Sequence, residues 1–92
     1  MIIGEVVGNV WATRKDEGLN GFKLLIIKPV DYFKKDDQTS FVAADFIGAG
    51  IGETVLVATG SSARKVLDKD GSPIDATVVG IIDTVEVEKA LS

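Results

Sequence analysis

The chain has 92 residues, of which 46% are hydrophobic, and it carries a net charge of −4 with no cysteine and no histidine. This length predicts a single domain spanning residues 1–92, and the composition excludes both disulfides and Cys/His zinc sites as cross-links. The negative charge repels phosphates and so disfavours nucleic-acid binding. Because so small a domain leaves much of its surface exposed, the apolar content favours subunit association over a compact monomeric core.

The N-terminal segment Met1–Glu5 has no basic residue and already contains an acidic one, Glu5. No secretory signal is therefore expected, and no apolar run approaches the length that crosses a bilayer. A chain without thiols agrees with a reducing interior, so the cytoplasm is the expected location.

Apolar, β-branched runs in the first half of the chain predict three strands, Ile2–Thr13, Phe22–Lys28 and Phe41–Phe46. The first strand contains Gly4 and Gly8, which predict a bend or bulge. Pro29 ends the second strand or places that end at a sheet edge. The charged run Lys34–Asp37 is typical of a solvated hairpin loop.

The second half predicts two more strands and a short helix. Thr54–Thr59 and Asp75–Val87 are the strands, and Ser61 or Ser62 is expected to cap a helical segment over Ala63–Leu67. Five strands and one short helix predict an all-β fold with small α content, a five-stranded OB-like barrel. A parallel α/β fold is disfavoured because too few helical segments separate the strands.

Closely spaced glycines precede the fourth predicted strand and look at first like a nucleotide-binding loop. Phosphate-binding loops open a helix, whereas Gly48, Gly50 and Gly52 open a strand and no Gly-Lys-Ser/Thr follows them. The pattern instead predicts a tight loop between two strands, which approaches another backbone or lines an opening.

The sequence offers little for catalysis or metal binding. Without histidine and cysteine, the usual base and the strongest nucleophile are absent. Asp45, Asp75 and Asp83 stand among apolar residues, but an aspartate at a strand end more often caps a turn or pairs with a cation. The segment Asp68–Gly71 resembles part of a calcium loop and fails in either EF-hand register, so a turn is expected there. We expect no catalytic residue, no cofactor and no metal.

Two other features bear on partners. The aromatic residues show no basic interleaving of the kind found in OB folds that bind nucleic acids, and we interpret most of them as core or interface anchors: Trp11, Phe22, Tyr32, Phe33, Phe41 and Phe46. Arg64 follows the Gly60 turn, and a hydrogen-bonding role between subunits or to a backbone carbonyl is favoured over phosphate binding.

Five blocks of sequence cover nearly the whole chain: Gly8–Thr13, Leu19–Leu25, Asp45–Glu53, Gly60–Arg64, and Pro73–Ala76 with Val79–Asp83. In this order and at these spacings they resemble the vertex proteins of bacterial microcompartments, of the carboxysome and ethanolamine-utilisation type. Two features depart from the family pattern. Trp11 replaces a smaller aliphatic residue, and the Phe33–Asp37 loop is more charged than the usual glycine-containing turn.

The resemblance implies a structural shell protein, not an enzyme, that forms homopentamers at the five-fold vertices of a microcompartment shell in the cytoplasm. Its implied partners are further copies of itself and the hexameric shell proteins, with neither nucleic acid nor membrane. The loop implied near the central opening comprises Gly48, Ala49, Gly50, Ile51, Gly52 and Glu53. The residues implied in subunit or shell contacts are Gly60, Ser61, Ser62, Ala63, Arg64, Val79, Gly80, Ile81, Ile82 and Asp83.

Two other functional classes remain as alternatives. An OB-type binding module for a nucleic acid or small ligand is disfavoured by the charge and the aromatic pattern. An enzyme is disfavoured by the missing histidine and cysteine.

Overall fold

The computed structural model describes residues 1–11, 22–30, 39–66 and 74–87. Its elements, in chain order, are β1 (Ile2–Val10), β2 (Lys23–Pro29), β3 (Phe41–Asp45), β4 (Thr54–Thr59), α1 (Ser61–Val66) and β5 (Ala76–Ile82). The strands close into a barrel in the order β1-β2-β3-β5-β4. Neighbouring strands are antiparallel except β3 and β5, which are parallel. The predicted five-stranded barrel with one short helix is confirmed.

Three strands are shorter than predicted. β3 ends at Asp45 and leaves Phe46 outside the strand. β1 ends at Val10 and leaves Trp11 outside the sheet, where 89% of its surface is exposed. β5 ends at Ile82, so the segment to Val87 is not part of the strand. β-propensity alone made these predicted strands too long, because it carries no information about where the partner strand ends.

The predicted start of the helix is also corrected. Ser61 is the first residue of α1, and both Ser61 and Ser62 lie within the helix rather than capping it from outside. The turn that leads into the helix is made by Gly60, whose φ of 65° is left-handed. The charged run 34–37 and the turn 68–71 lie outside the described residues.

Alternate residues of the strands fill the barrel interior. On β2, Leu25 and Ile27 are fully buried while Lys28 is exposed, which is the period of two expected for a strand with one face in a core. The buried core cluster comprises Val6, Leu25, Ile27, Ala43, Ala49, Val55, Val57, Ala76 and Val78. One of these residues, Ala49, comes from the β3–β4 loop rather than from a strand.

The two glycines of β1 have different roles. At Gly8 the register between β1 and β2 shifts, which confirms the predicted bulge at this position. At Gly4 the ladder is regular, and the glycine is required by space. A methyl group there would overlap Cγ2 of Ile27 and lie 3.1 Å from the carbonyl oxygen of Lys28.

Replacing Gly4 with alanine is expected to destabilise the fold by about 1–3 kcal/mol, because the added methyl has to displace a core isoleucine. Gly8→Ala is the matched control in the same strand. The atom nearest to its methyl would be the terminal Cδ1 of Ile26, at 3.2 Å, and the other two contacts, with Cβ and Cγ1 of the same side chain, are ordinary ones at 3.8 Å. Urea unfolding at one fixed protein concentration measures both. Equal midpoints for the two variants would contradict the crowding at Gly4.

Candidate functional site

The loop between β3 and β4, residues 46–53, folds around the carboxylate of Asp45. This side chain is only 1% exposed. Its Oδ1 accepts a hydrogen bond from the amide of Ile47 at 2.9 Å, and its Oδ2 accepts one from Ala49, also at 2.9 Å. The amide of Gly48 lies between them, 3.2 Å from Oδ2. Three consecutive amides therefore share one carboxylate, and the turn-capping role predicted for Asp45 is confirmed.

The loop is fixed on its other side by β1. The amide of Gly52 donates to the carbonyl of Val6 at 2.8 Å, and the amide of Val6 donates to the carbonyl of Glu53 at 2.9 Å. Between the Asp45 end of the loop and this attachment to β1, the side chain of Ala49 is buried in the core cluster. The loop is thus held by hydrogen bonds at both ends and by packing in the middle.

Three glycines shape this loop in two ways. Gly48 and Gly52 have φ of 101° and 91°, a region that L side chains rarely adopt. Gly50 has no such requirement; its amide donates to Oε1 of Glu53 at 2.6 Å. The loop connects two strands, as the sequence predicted, and therefore lacks the helix N-terminus of a phosphate-binding loop.

The same loop displays large apolar side chains to solvent. Phe46 is 54% exposed, Ile47 is 41% exposed and Ile51 is 64% exposed. The sequence had placed Phe46 inside a strand and had assigned no role to Ile47. The sequence did contain a signal for these two residues. They are large and apolar and stand directly before a glycine loop, in a turn where polar residues are the norm. Clustered exposed apolar residues of this kind are typical of an interaction surface.

The C-terminal end of β5 lies at the same end of the barrel as this loop. Thr54 pairs with Ile82 and Val55 pairs with Ile81, so Glu53, before Thr54, and Asp83, after Ile82, both lie at this end of the β4–β5 ladder. Ile81 is 38% exposed. The structure therefore brings together two of the predicted sets, residues 48–53 and residues 79–83.

The third predicted set, residues 60–64, lies at the opposite end of β4. The amide of Gly60 donates to the carbonyl of Asp75 at 2.7 Å, which starts the turn into α1. Ala63 is fully buried, and its carbonyl accepts a hydrogen bond from the hydroxyl of Thr77 at 3.3 Å. These contacts hold α1 against β4 and β5. The side chain of Arg64 is outside the described part of the structure.

The described residues show neither a metal site nor a membrane-spanning helix. Among residues 1–11, 22–30, 39–66 and 74–87, no group of three or more acidic residues is placed to hold a metal ion. Every buried side-chain nitrogen or oxygen in these ranges has a hydrogen-bond partner. No helix in them is long and apolar enough to cross a membrane.

Replacing Asp45 with asparagine is expected to destabilise the protein by about 1–3 kcal/mol, because the amide group keeps one acceptor oxygen and turns an N–H towards the remaining backbone donors. Hydrogen exchange at Ile47, Gly48 and Ala49 is expected to accelerate more than exchange in the strands. The exposed Asp75 gives the control Asp75→Asn, with a change within about 0.5 kcal/mol. Unchanged protection of the three loop amides would contradict the role of the carboxylate.

Comparisons with known proteins agree with this fold over the whole chain. Residues 1–83 match the family described as "Ethanolamine utilisation protein EutN/carboxysome". The chain is 49% identical over 86 residues to the bacterial microcompartment shell vertex protein GrpN of Rhodospirillum rubrum, covering 94% of this chain and 97% of that protein. It is 46% identical over 88 residues to the carboxysome shell vertex protein CcmL of Synechococcus elongatus, covering 96% and 89%.

Solved structures give the same result. The pentameric microcompartment shell protein GrpN from Rhodospirillum rubrum superposes with a TM-score of 0.82 at 45% identity, covering 97% of this chain and 100% of that chain. CcmL of Gloeobacter violaceus superposes with a TM-score of 0.85 at 42% identity, covering 96% and 91%. The chain therefore belongs to the EutN/CcmL family, in which these relatives are microcompartment shell vertex proteins.

Proposed function

We propose that this protein is a structural shell protein whose pentamers cap the five-fold vertices of a bacterial microcompartment. The observation that carries this proposal is the likeness to the pentameric GrpN over 97% of the chain, at 45% identity and with the same fold. The geometry of a closed shell explains why five-fold units are needed. A flat layer of six-fold tiles has no intrinsic curvature, and a closed icosahedral shell needs five-fold units at its corners.

The glycines of the subunit support close contact between copies. Five of the seven described glycines have a reason within the subunit, either crowding or a left-handed φ: Gly4, Gly8, Gly48, Gly52 and Gly60. Gly50 and Gly80 have neither. A Cβ at Gly80 would meet nothing within 4 Å, and one at Gly50 would meet only Oε1 of Glu53, at 3.4 Å.

Gly80 borders the register shift between β4 and β5, as Gly8 does between β1 and β2, and the space at its Cβ position is open. A missing side chain lets the backbone of another molecule approach closely. Gly50 and Gly80 belong to two sets that lie at one end of the barrel, residues 48–53 and 79–83. We therefore retain both sets as proposed assembly contacts, with the loop 48–53 near the central axis of the ring.

The residues 60–64 are proposed as a further contact, with a neighbouring subunit or shell tile. The proposed partners are further copies of the chain and the hexameric shell proteins of the same microcompartment, in the cytoplasm, without nucleic acid or membrane. We propose one domain over residues 1–92 and no catalytic activity, because the relatives carry the names of shell vertex proteins and the chain has no histidine or cysteine.

The wild-type chain is expected to appear as a five-subunit ring at micromolar concentration in native mass spectrometry. In Gly80→Val the ring is expected to dissociate at a concentration at least about tenfold higher, because the new side chain fills the space of a neighbour. The isolated subunit should not lose stability, since valine suits a strand. Thr39→Val, at an exposed position outside the proposed contacts, is the control. A monomeric wild type would contradict ring assembly, and a Gly80→Val ring of unchanged stability would contradict the contact.

Deleting the gene in its host is expected to leave shell sheets and enzyme recruitment intact, because flat tiles still associate by their edges. Shells should remain open at the vertices or become elongated, and they should leak small intermediates. The specific activities of the encapsulated enzymes in lysate should not change. Electron microscopy and metabolite release measure both effects, with the restored wild-type gene as control. Closed, retentive shells together with a lost enzyme activity would overturn the structural role.

A further inference from the structure

The helix α1 rests on a small patch of the outer barrel wall. Ala44, Ala58 and Thr77 lie side by side on β3, β4 and β5, because Thr77 pairs with both alanines. Each of the three is next in sequence to a core residue and therefore points out of the barrel, yet none is more than 2% exposed. We call these three residues the seat. α1 packs against β4 and β5 and buries the side chain of Ala63.

The seat contains one polar side chain. The hydroxyl of Thr77 donates a hydrogen bond to the carbonyl of Ala63 at 3.3 Å, in a buried contact. This distance is long for a bond between two oxygens, so the bond adds little to the stability of the fold. Its directionality matters more. Contacts between small apolar side chains have no preferred direction, whereas a buried polar pair favours one register of the helix on the wall.

α1 is attached to β5 at two points. At the first, the amide of Gly60 donates to the carbonyl of Asp75 at 2.7 Å. At the second, Thr77 holds the carbonyl of Ala63. A helix of six residues is not stable by itself in water, so these attachments set its direction. The first attachment alone would leave a hinge, because glycine tolerates many backbone angles, and the second removes that freedom.

The start of the helix faces solvent. Ser61 and Ser62 are exposed, whereas Ala63 is buried. A swing of α1 about Gly60 would therefore move the two exposed serines relative to the barrel. A contact that forms in only one orientation is weakened in proportion to the time that the helix spends in the others. The direction of α1 thus bears on any contact made by residues 60–64.

We propose that Thr77 is a positioning residue for assembly. Its hydroxyl fixes the direction of α1 on the seat, and thereby the orientation in which residues 60–64 meet the next subunit, while the barrel folds without it. Thr77 acts only through the helix, because its side chain is fully buried within the subunit. This role rests on the ring assembly proposed above, with residues 60–64 at a subunit contact.

Thr77→Val tests the role of the hydroxyl, since valine keeps the branched shape of the side chain and suits a strand. The concentration at which the ring dissociates is expected to rise by at least about fivefold, because a smaller fraction of helices has the competent orientation. Hydrogen exchange is expected to accelerate in α1 and to stay unchanged in β1 and β2. Native mass spectrometry over a dilution series and exchange mass spectrometry measure the two effects.

Two further variants separate positioning from general stability. Thr77→Ser keeps the hydroxyl and loses the methyl group, so its ring is expected to dissociate within about twofold of the wild-type concentration. Val78→Ala changes the next residue of the same strand, which points into the core. It is expected to accelerate exchange in the strands, because it leaves a cavity, and to leave the dissociation concentration of the ring within about twofold.

The possible results are distinguishable. A wild type that forms no ring overturns the proposed function and the positioning role with it. A Thr77→Val ring that dissociates like wild type overturns the positioning role and leaves the shell function standing. Exchange that accelerates in the strands of Thr77→Val as much as in α1 assigns Thr77 to the fold and overturns the role, as does a Thr77→Ser ring that is equally weakened. A weaker Thr77→Val ring with recovery in Thr77→Ser supports it.

Discussion

The burial of one carboxylate decides the shape of this subunit's surface. Asp45 ends β3 and accepts hydrogen bonds from the amides of residues 47–49, which would otherwise need other partners in a turn that is partly buried. Because these amides turn inwards, Ala49 reaches the core and the side chains of Phe46 and Ile51 remain outside. The exposed apolar surface is therefore a consequence of how the loop satisfies its own backbone.

The small core limits how much apolar surface a single subunit buries. The barrel interior is narrow, and several of its core positions hold alanine, including Ala43 and Ala76. A small domain with such a core buries limited apolar area, and its net stability is correspondingly small. Val7 and Val42 alternate with the buried Val6 and Ala43 and are exposed on the barrel wall. Association removes part of this surface from water, which couples the stability of the fold to assembly.

The sequence predicted what depends on local pattern. Runs of Val and Ile predicted five strands, and an aspartate at a strand end indicated a capped turn or a pair with a cation. It could not separate Gly48 and Gly52, which need a left-handed φ, from Gly50, which does not, because that distinction depends on the folded path of the loop. Nor could it show that Ala49 enters the core, which follows from the path of the loop around Asp45. That residues 79–83 adjoin the loop follows from the register of β4 with β5.

The length and register of β4 set the relation between the two ends of the subunit. The strand is hydrogen-bonded to β1 on one side and to β5 on the other, so its ends cannot move independently. The loop precedes its first residue and α1 follows Gly60 after its last. A rigid connection of this kind fixes the angle between a surface and its counterpart on the next copy. In a heterologous assembly that angle decides whether the chain of contacts closes and after how many subunits. Ring closure is thus a property of the barrel as a whole, and no single contact residue determines it.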